Sequence, residues 1–177
     1  MQFSSETIVE LAAGRELLRA RPYGVIETAD ERLVRIRLRP FPKLVSLPEI
    51  AVGGRLRHRF APGNRCRLYY NQPCRHRNFL ALKYVVSSAG ASLATFRLAL
   101  TVLDEIARIK RVDALLCDVA NLRISDRLLA RWGWTPHCPH PWHRHFIKRF
   151  YGDYPAPPAA LYPAALRERE PLVSAEV

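Results

Sequence analysis

A chain of 177 residues with 49% hydrophobic content is long enough to build one domain around its own core, and it holds no apolar run near the roughly 18 to 20 residues that span a bilayer. Glu6 and Glu10 stand where a secretory leader carries basic and then apolar residues, which points to a cytoplasmic protein, and four cysteines are too few for a disulfide scaffold. The net charge of +12 is concentrated in one stretch, since residues 32 to 83 contain 13 Lys or Arg and a single acid, Glu49; charge alone suits either a solvated basic face or an anion-binding one.

In chain order, residues 5 to 20 have the pattern of a helix. Ser5 is the expected cap, Ile8, Leu11 and Leu18 recur at helical spacing, and Pro22 stops the run. Residues 32 to 39 alternate, with Val34, Ile36 and Leu38 on one side and Arg35, Arg37 and Arg39 on the other, as in a half-buried strand. Pro40 and Pro42 end it. Arg55, Arg57 and Arg59 repeat the alternation over 55 to 60, a turn follows at Ala61-Pro62-Gly63-Asn64, and RCRLYY (65 to 70) reads as a further strand. These make an antiparallel meander with an Arg-lined face.

Residues 79 to 86, FLALKYVV, read as a largely buried strand. A turn of small residues leads into the strongest helix in the chain, Ser92 to Arg111. Leu93, Phe96, Leu100, Leu103 and Ala107 form its expected inner stripe. Arg97, Thr101, Asp104 and Arg108 form its outer face, with Asp104 and Arg108 as an i, i+4 pair. DALLCDV (113 to 119) is a second buried strand, with Cys117 a buried thiol. Asn121 opens a short helix carrying Leu128, Leu129 and Trp132, and Gly133 is placed to end it. A loop rich in Pro and His leads to a last strand, 142 to 150. The composition divides the chain into a domain, 1 to 153, and a Pro- and Ala-rich flexible tail, 154 to 177.

Two segments carry chemistry. The first is the strand-turn-helix at Ser87-x-x-Gly90-x-Ser92. A small-residue turn that opens a helix offers free backbone N–H groups and the positive end of a dipole, which suit a pyrophosphate, and serine hydroxyls add donors. The second is NLRISDRLLARWGW, Asn121 to Trp134. Taken together and in this order, residues 78 to 150 resemble the GNAT superfamily of acyl-CoA-dependent N-acetyltransferases. The turn is similar to that family's Arg/Gln-x-x-Gly-x-Gly/Ala acyl-CoA loop, with Ser87 and Ser92 at its first and last positions. The second segment is similar to its Asn…Leu-Tyr-x-Lys-x-Gly-Phe helix, with Leu129 where the family often has a tyrosine.

The resemblance implies an α/β fold with a mixed, mostly antiparallel central sheet flanked by helices. It implies acetyl-CoA as acyl donor and an amine acceptor that attacks directly. It places the cofactor against Val85, Val86, Ser87, Ser88, Ala89, Gly90, Ala91, Ser92 and Asn121. Asp118, at the end of a buried strand, is a candidate general base, although a loop-capping carboxylate is the commoner role for such a residue. Tyr84 is a candidate proton donor or, as readily, a core aromatic. His137, Cys138, His140, His143 and His145 crowd together, but their spacing fits no standard zinc pattern, and no metal is expected. The alternative from a different class is a polyanion- or nucleic-acid-binding protein that uses the Arg strands with Tyr69, Tyr70 and His76 on a degenerate scaffold.

Overall fold

The computed structural model describes residues 6–39, 63–119, 124–138 and 143–162. The expectations for Ser5, residues 40 to 62 with their Arg55, Arg57 and Arg59 row, Asn121 and His140 lie outside the described residues. Within them runs one mixed sheet of eight strands, mostly antiparallel, with helices against it.

The strands are β1 (Glu6–Ile8), β2 (Tyr23–Ala29), β3 (Arg32–Arg39), β4 (Arg65–Asn71), β5 (Phe79–Ser87), β6 (Ala114–Asp118), β7 (Thr135–Pro136) and β8 (His145–Arg149). Their order across the sheet is β1-β3-β2-β4-β5-β6-β8-β7. Every pairing is antiparallel except β5 with β6, where Phe79 to Leu82 face Ala114 to Cys117 in parallel. The parallel step exists because a helix intervenes between those two strands, as a parallel connection requires.

That helix, α2 (Leu93–Lys110), follows β5. Ser92 caps it, its Oγ accepting from the Thr95 amide at 3.1 Å, and Arg111 closes it in the left-handed region at φ 55. It lies on one face of the sheet, where Thr28 Oγ1 on β2 donates to the Thr95 carbonyl at 3.2 Å. The same face buries α1 (Arg15–Ala20), whose Arg19 Nε donates to the Ile109 carbonyl. It also takes α3 (Asp126–Arg131), whose neighbour Trp132 meets Phe96 of α2 edge-on at 5.7 Å. Leu18, Ile26, Ile36, Leu68, Leu80, Leu103, Ile106 and Leu115 fill the core between them. Gly24 belongs to this packing: a Cβ there would lie 2.5 Å from Tyr70 Cζ on β4, its cross-strand neighbour.

Several expectations are corrected. Residues 5 to 20 are not one helix. Glu6–Ile8 pairs with β3, Glu6 facing Leu38, and only Arg15–Ala20 is helical. The register is fixed at a distance by Arg21, whose guanidinium donates two bonds of 2.8 Å to the Glu6 carboxylate; helical spacing in the sequence holds no trace of that pairing. Val34 is 44% exposed rather than sharing the face of Ile36 and Leu38, because the β2–β3 register shifts there. In β5 only Leu80 is fully buried, so the strand is half-buried as a whole.

The buried side of α2 includes the expected Leu100, Leu103 and Ala107, with Phe96 packed against the core, but it is wider than the expected stripe and leaves out Leu93. Leu93 is 56% exposed, while Thr95, Ala99, Val102, Glu105, Ile106 and Ile109 are buried. Asp104 does not pair with Arg108. It accepts from Lys148 Nζ on β8 at 2.7 Å, and Arg108 turns to Glu105. Glu105 can be buried because the Tyr162 hydroxyl also donates to it. Tyr162, Leu161 and Tyr154, the last donating to the Val112 carbonyl at 2.9 Å, pack on the domain in the stretch where composition pointed to a tail. Residues 163–177 lie outside the described set. Gly133, at φ 82, ends α3 as its position in the sequence suggests.

Candidate functional site: the parting of β5 and β6

The β5–β6 ladder ends at Leu82 and Cys117, yet β5 runs on for five residues, Lys83 to Ser87. On its other side β5 stays paired with β4 to Ser87 while β6 leaves it. Lys83 is the extra residue of a bulge, because Tyr69 faces Tyr84 while Tyr70 faces Leu82. A bulge bends and twists its strand locally, which is the physical reason the two parallel strands part here. Beyond the gap β5 passes directly into the turn and α2.

From Ser88 to Thr95, half of the backbone amides are already engaged, that of Thr95 by the Ser92 hydroxyl. The Ser88 amide donates to the Arg65 carbonyl, the Ala91 amide to the Ser88 carbonyl, and the Ser92 amide to Asn64 Oδ1 at 2.8 Å. The Ser88 hydroxyl is bonded to the Gly63 carbonyl and to the Arg65 backbone. The amides of Ala89, Gly90, Leu93 and Ala94 have no acceptor among the described residues. These four sit at the positive end of an 18-residue helix, with Ala89, Gly90, Leu93 and Ala94 all exposed. Of the serine hydroxyls expected as ligand donors, that of Ser88 holds the turn to the 63–65 segment and that of Ser92 caps the helix. Gly90 is placed by the same neighbour: a Cβ would stand 3.1 Å from the Gly63 carbonyl oxygen.

Tyr84 and Asp118 lie on the sheet face opposite α2, since side chains alternate along each strand. Tyr84 stacks on Tyr69 with ring centroids 4.0 Å apart. Asp118, the last residue of β6, does not cap a loop among the described residues. Its carboxylate lies 3.2 Å from His143 Nδ1 and 4.0 Å from His145 Nδ1, and the two imidazoles stack at 5.6 Å. The register explains the cluster, for Asp118 faces His145 across the β6–β8 ladder, and His143 is two residues away on the same face. The signal in the sequence was the His-x-His spacing on a strand, which puts both rings on one side. Val85 points to the core side, Val86 faces Arg67, and Ser87 ends the strand facing Cys66.

Leu129, which the resemblance sets against a tyrosine, is 3% exposed in the core. It can be neither donor nor ligand, and a tyrosine put there would overfill the packing. Cys66 and Cys117 are buried, which pushes each thiol up to about 12, so neither is a nucleophile at neutral pH.

The same open face carries an ion cluster that sequence reasoning did not assemble. Glu27 on β2 is buried and receives Arg35 Nε at 2.8 Å, Arg37 Nη2, and Arg67 Nε at 3.5 Å. Burial raises the Glu27 pKa, but Arg35, Arg37 and Arg67 together outweigh it and hold the carboxyl below its ordinary range. Arg35 and Arg37 of β3 are thus anchored on an acid, while Arg35 keeps 43% of its side chain exposed.

The molecule is therefore a mixed α/β domain in which a parallel strand pair parts beside the N-terminus of a long helix. No family model matches the chain, and no curated protein matches it. Among solved structures it is similar to a GNAT-family protein from Desulfovibrio desulfuricans, with 12% identity and a TM-score of 0.40 over 49% of this chain. The match spans 60% of that protein's length. No described helix is long and apolar enough to cross a membrane.

Proposed function

We propose that the protein is an acyl-CoA-dependent N-acyltransferase that transfers acetyl from acetyl-CoA to an amine. The observation that carries this reading is the parting of β5 from β6 immediately before a turn and helix start that together keep four amides available. Such a gap gives an extended thioester a strand edge to lie along, and the helix end suits a pyrophosphate. In this reading Ala89, Gly90, Leu93 and Ala94 hold the phosphates, and Lys83 to Ser87 flank the acyl group.

The amine nitrogen attacks the thioester carbonyl carbon, and the tetrahedral intermediate collapses by breaking the C–S bond. The proton lost by the amine passes to the Asp118–His143 pair, and the departing thiolate takes one from Tyr84 or from water. A thiol leaving group with a pKa near the ~8.5 of cysteine is tolerable without strong acid help. A polyanion surface is the weaker reading, because Glu27 offsets one of the three charges of Arg35, Arg37 and Arg67 and the cluster they form is local.

Calorimetric titration with acetyl-CoA tests the proposal, with Ala94→Asp as the decisive variant. An acid in the first turn favours the helix dipole, so this variant folds at least as stably as the parent. It should nevertheless weaken acetyl-CoA about tenfold by repelling the phosphates. Equal affinity in parent and variant, or no binding to the parent, would sink the assignment.

A further inference from the structure

We propose that the acceptor is an acidic amine, a small molecule carrying a carboxylate or phosphate, seated on the arginines around Glu27; this rests on the acyltransferase reading above. Three guanidiniums converge on one buried carboxylate, so two positive charges are left over on one patch of sheet. Arg35 and Arg67 keep 43% and 45% of their side-chain surface exposed, while Glu27 beneath them keeps 8%. The acid therefore holds the guanidiniums in place, and their outer edges face outward. Arg37 Nε is buried and has no acceptor among the described residues. Arg65 adds a further exposed cation on the same face of β4, two residues from Arg67. Like charges on neighbouring strands repel, and a bound oxyanion would relieve that repulsion.

The position of the patch matters as much as its charge. Arg67 is two residues from Tyr69 on β4, and Tyr69 stacks on Tyr84 at the mouth of the gap. With about 3.4 Å per residue and about 4.8 Å between strands, the arginine positions lie roughly 8 to 16 Å from Tyr84. An anion held there leaves the amine of an amino-acid- or dipeptide-sized molecule beside the thioester, with the Tyr69–Tyr84 stack as a flat wall between them. Guanidinium forks suit carboxylate and phosphate alike. The cofactor approaches from the helix side, so the two substrates meet at the gap from opposite faces of the sheet.

The experiment compares matched amines, glutamate against glutamine and O-phosphoserine against serine, at constant ionic strength. Release of CoA thiol should show kcat/KM at least tenfold higher for the acidic member of one pair, and the pair that responds identifies carboxylate or phosphate as the anion. Arg67→Gln and, separately, Arg35→Gln should reduce that acidic-to-neutral ratio about tenfold through KM, with the acetyl-CoA Kd unchanged. The parent's melting temperature should also rise with the acidic amine alone and not with its neutral twin, an increase absent in Arg67→Gln. Equal rates and equal thermal shifts for acidic and neutral amines would overturn the acidic-acceptor site while leaving acetyl-CoA binding to stand. A chain that binds no acetyl-CoA but still shows the Arg67-dependent shift would keep the anion site and remove the acyltransferase.

Discussion

The two faces of the sheet are built by the same strands and do different work. On the helix side, Ile26, Ile36, Leu38, Leu68 and Leu80 are essentially inaccessible and pack under α2. On the other side the alternate residues of those strands are Glu27, Arg35, Arg37, Arg67, Tyr69 and Tyr84, joined by Asp118, His143 and His145. A period of two lets one set of residues supply cohesion while the other stays available for charge and chemistry. Stability should therefore be lost mainly from the helix face and substrate preference mainly from the open face.

The largest effect tests the helix face. Leu103→Ala removes a fully buried side chain from the centre of α2 and should cost about 3 kcal/mol in denaturant unfolding. Acetyl-CoA affinity of the remaining folded protein should be unchanged. A loss below about 1 kcal/mol would show that α2 is not the main seat of the core.

The next effect tests the exception, because Glu27 is a structural acid on the face otherwise given to binding. Glu27→Gln leaves three guanidiniums without their counter-charge. Breaking a buried pair costs about 3 to 5 kcal/mol, and here the expectation is about 2, because Arg35 and Arg67 are more than a third exposed. The pH dependence has a definite sign. Glu27 has a folded pKa below its ordinary 4.5, so the unfolded chain binds the proton more readily. Its contribution is full above that ordinary value and is lost as pH falls through the lowered folded pKa. The parent should lose stability on acidification in that window more steeply than Glu27→Gln, and parallel curves would remove Glu27 from the account.

The same division explains what was legible in the sequence. β3 was read with its true bounds, and β4 and α2 within a residue at either end, because alternation, a serine cap and helical periodicity are local. β2 was not read at all. Its YGVIETA run is buried from Gly24 to Thr28, so it shows no alternation, and its glutamate disguises a central strand. Without β2 the Arg35 and Arg37 row looked unpartnered. Spacing alone pairs Asp104 with Arg108, but its partner Lys148 is 44 residues away. The glycine turn was legible as a place, but the engagement of Ser88 and Ser92 was not, since it depends on the 63–65 segment returning alongside.

A smaller effect probes the open face. If Tyr84 supplies the thiolate's proton, Tyr84→Phe should lower kcat while leaving the KM for acetyl-CoA in place. General acid help is worth about 10² to 10⁴, and the good leaving group puts the expectation near the lower figure. Unchanged kcat would move that proton to water.

The smallest effect separates the two roles offered to Ser92. The sequence suggested a hydroxyl donor to phosphate, whereas in the structure Ser92 Oγ accepts from the Thr95 amide at 3.1 Å and meets Thr95 Oγ1 at the same distance. Alanine at an N-cap costs about 1 kcal/mol, but glycine costs only a few tenths, because it frees the backbone to be solvated and to adopt the cap conformation. Ser92→Ala and Ser92→Gly both lack the hydroxyl, so they differ in stability and not in ligand donors. If Ser92 is a cap alone, the two variants should differ by about 0.5 kcal/mol or more in unfolding while binding acetyl-CoA like the parent. If the hydroxyl reaches a phosphate, both should bind several-fold more weakly by the same factor, whatever their stability. The second pattern would return Ser92 to the cofactor site and require its side chain to leave Thr95 when acetyl-CoA arrives.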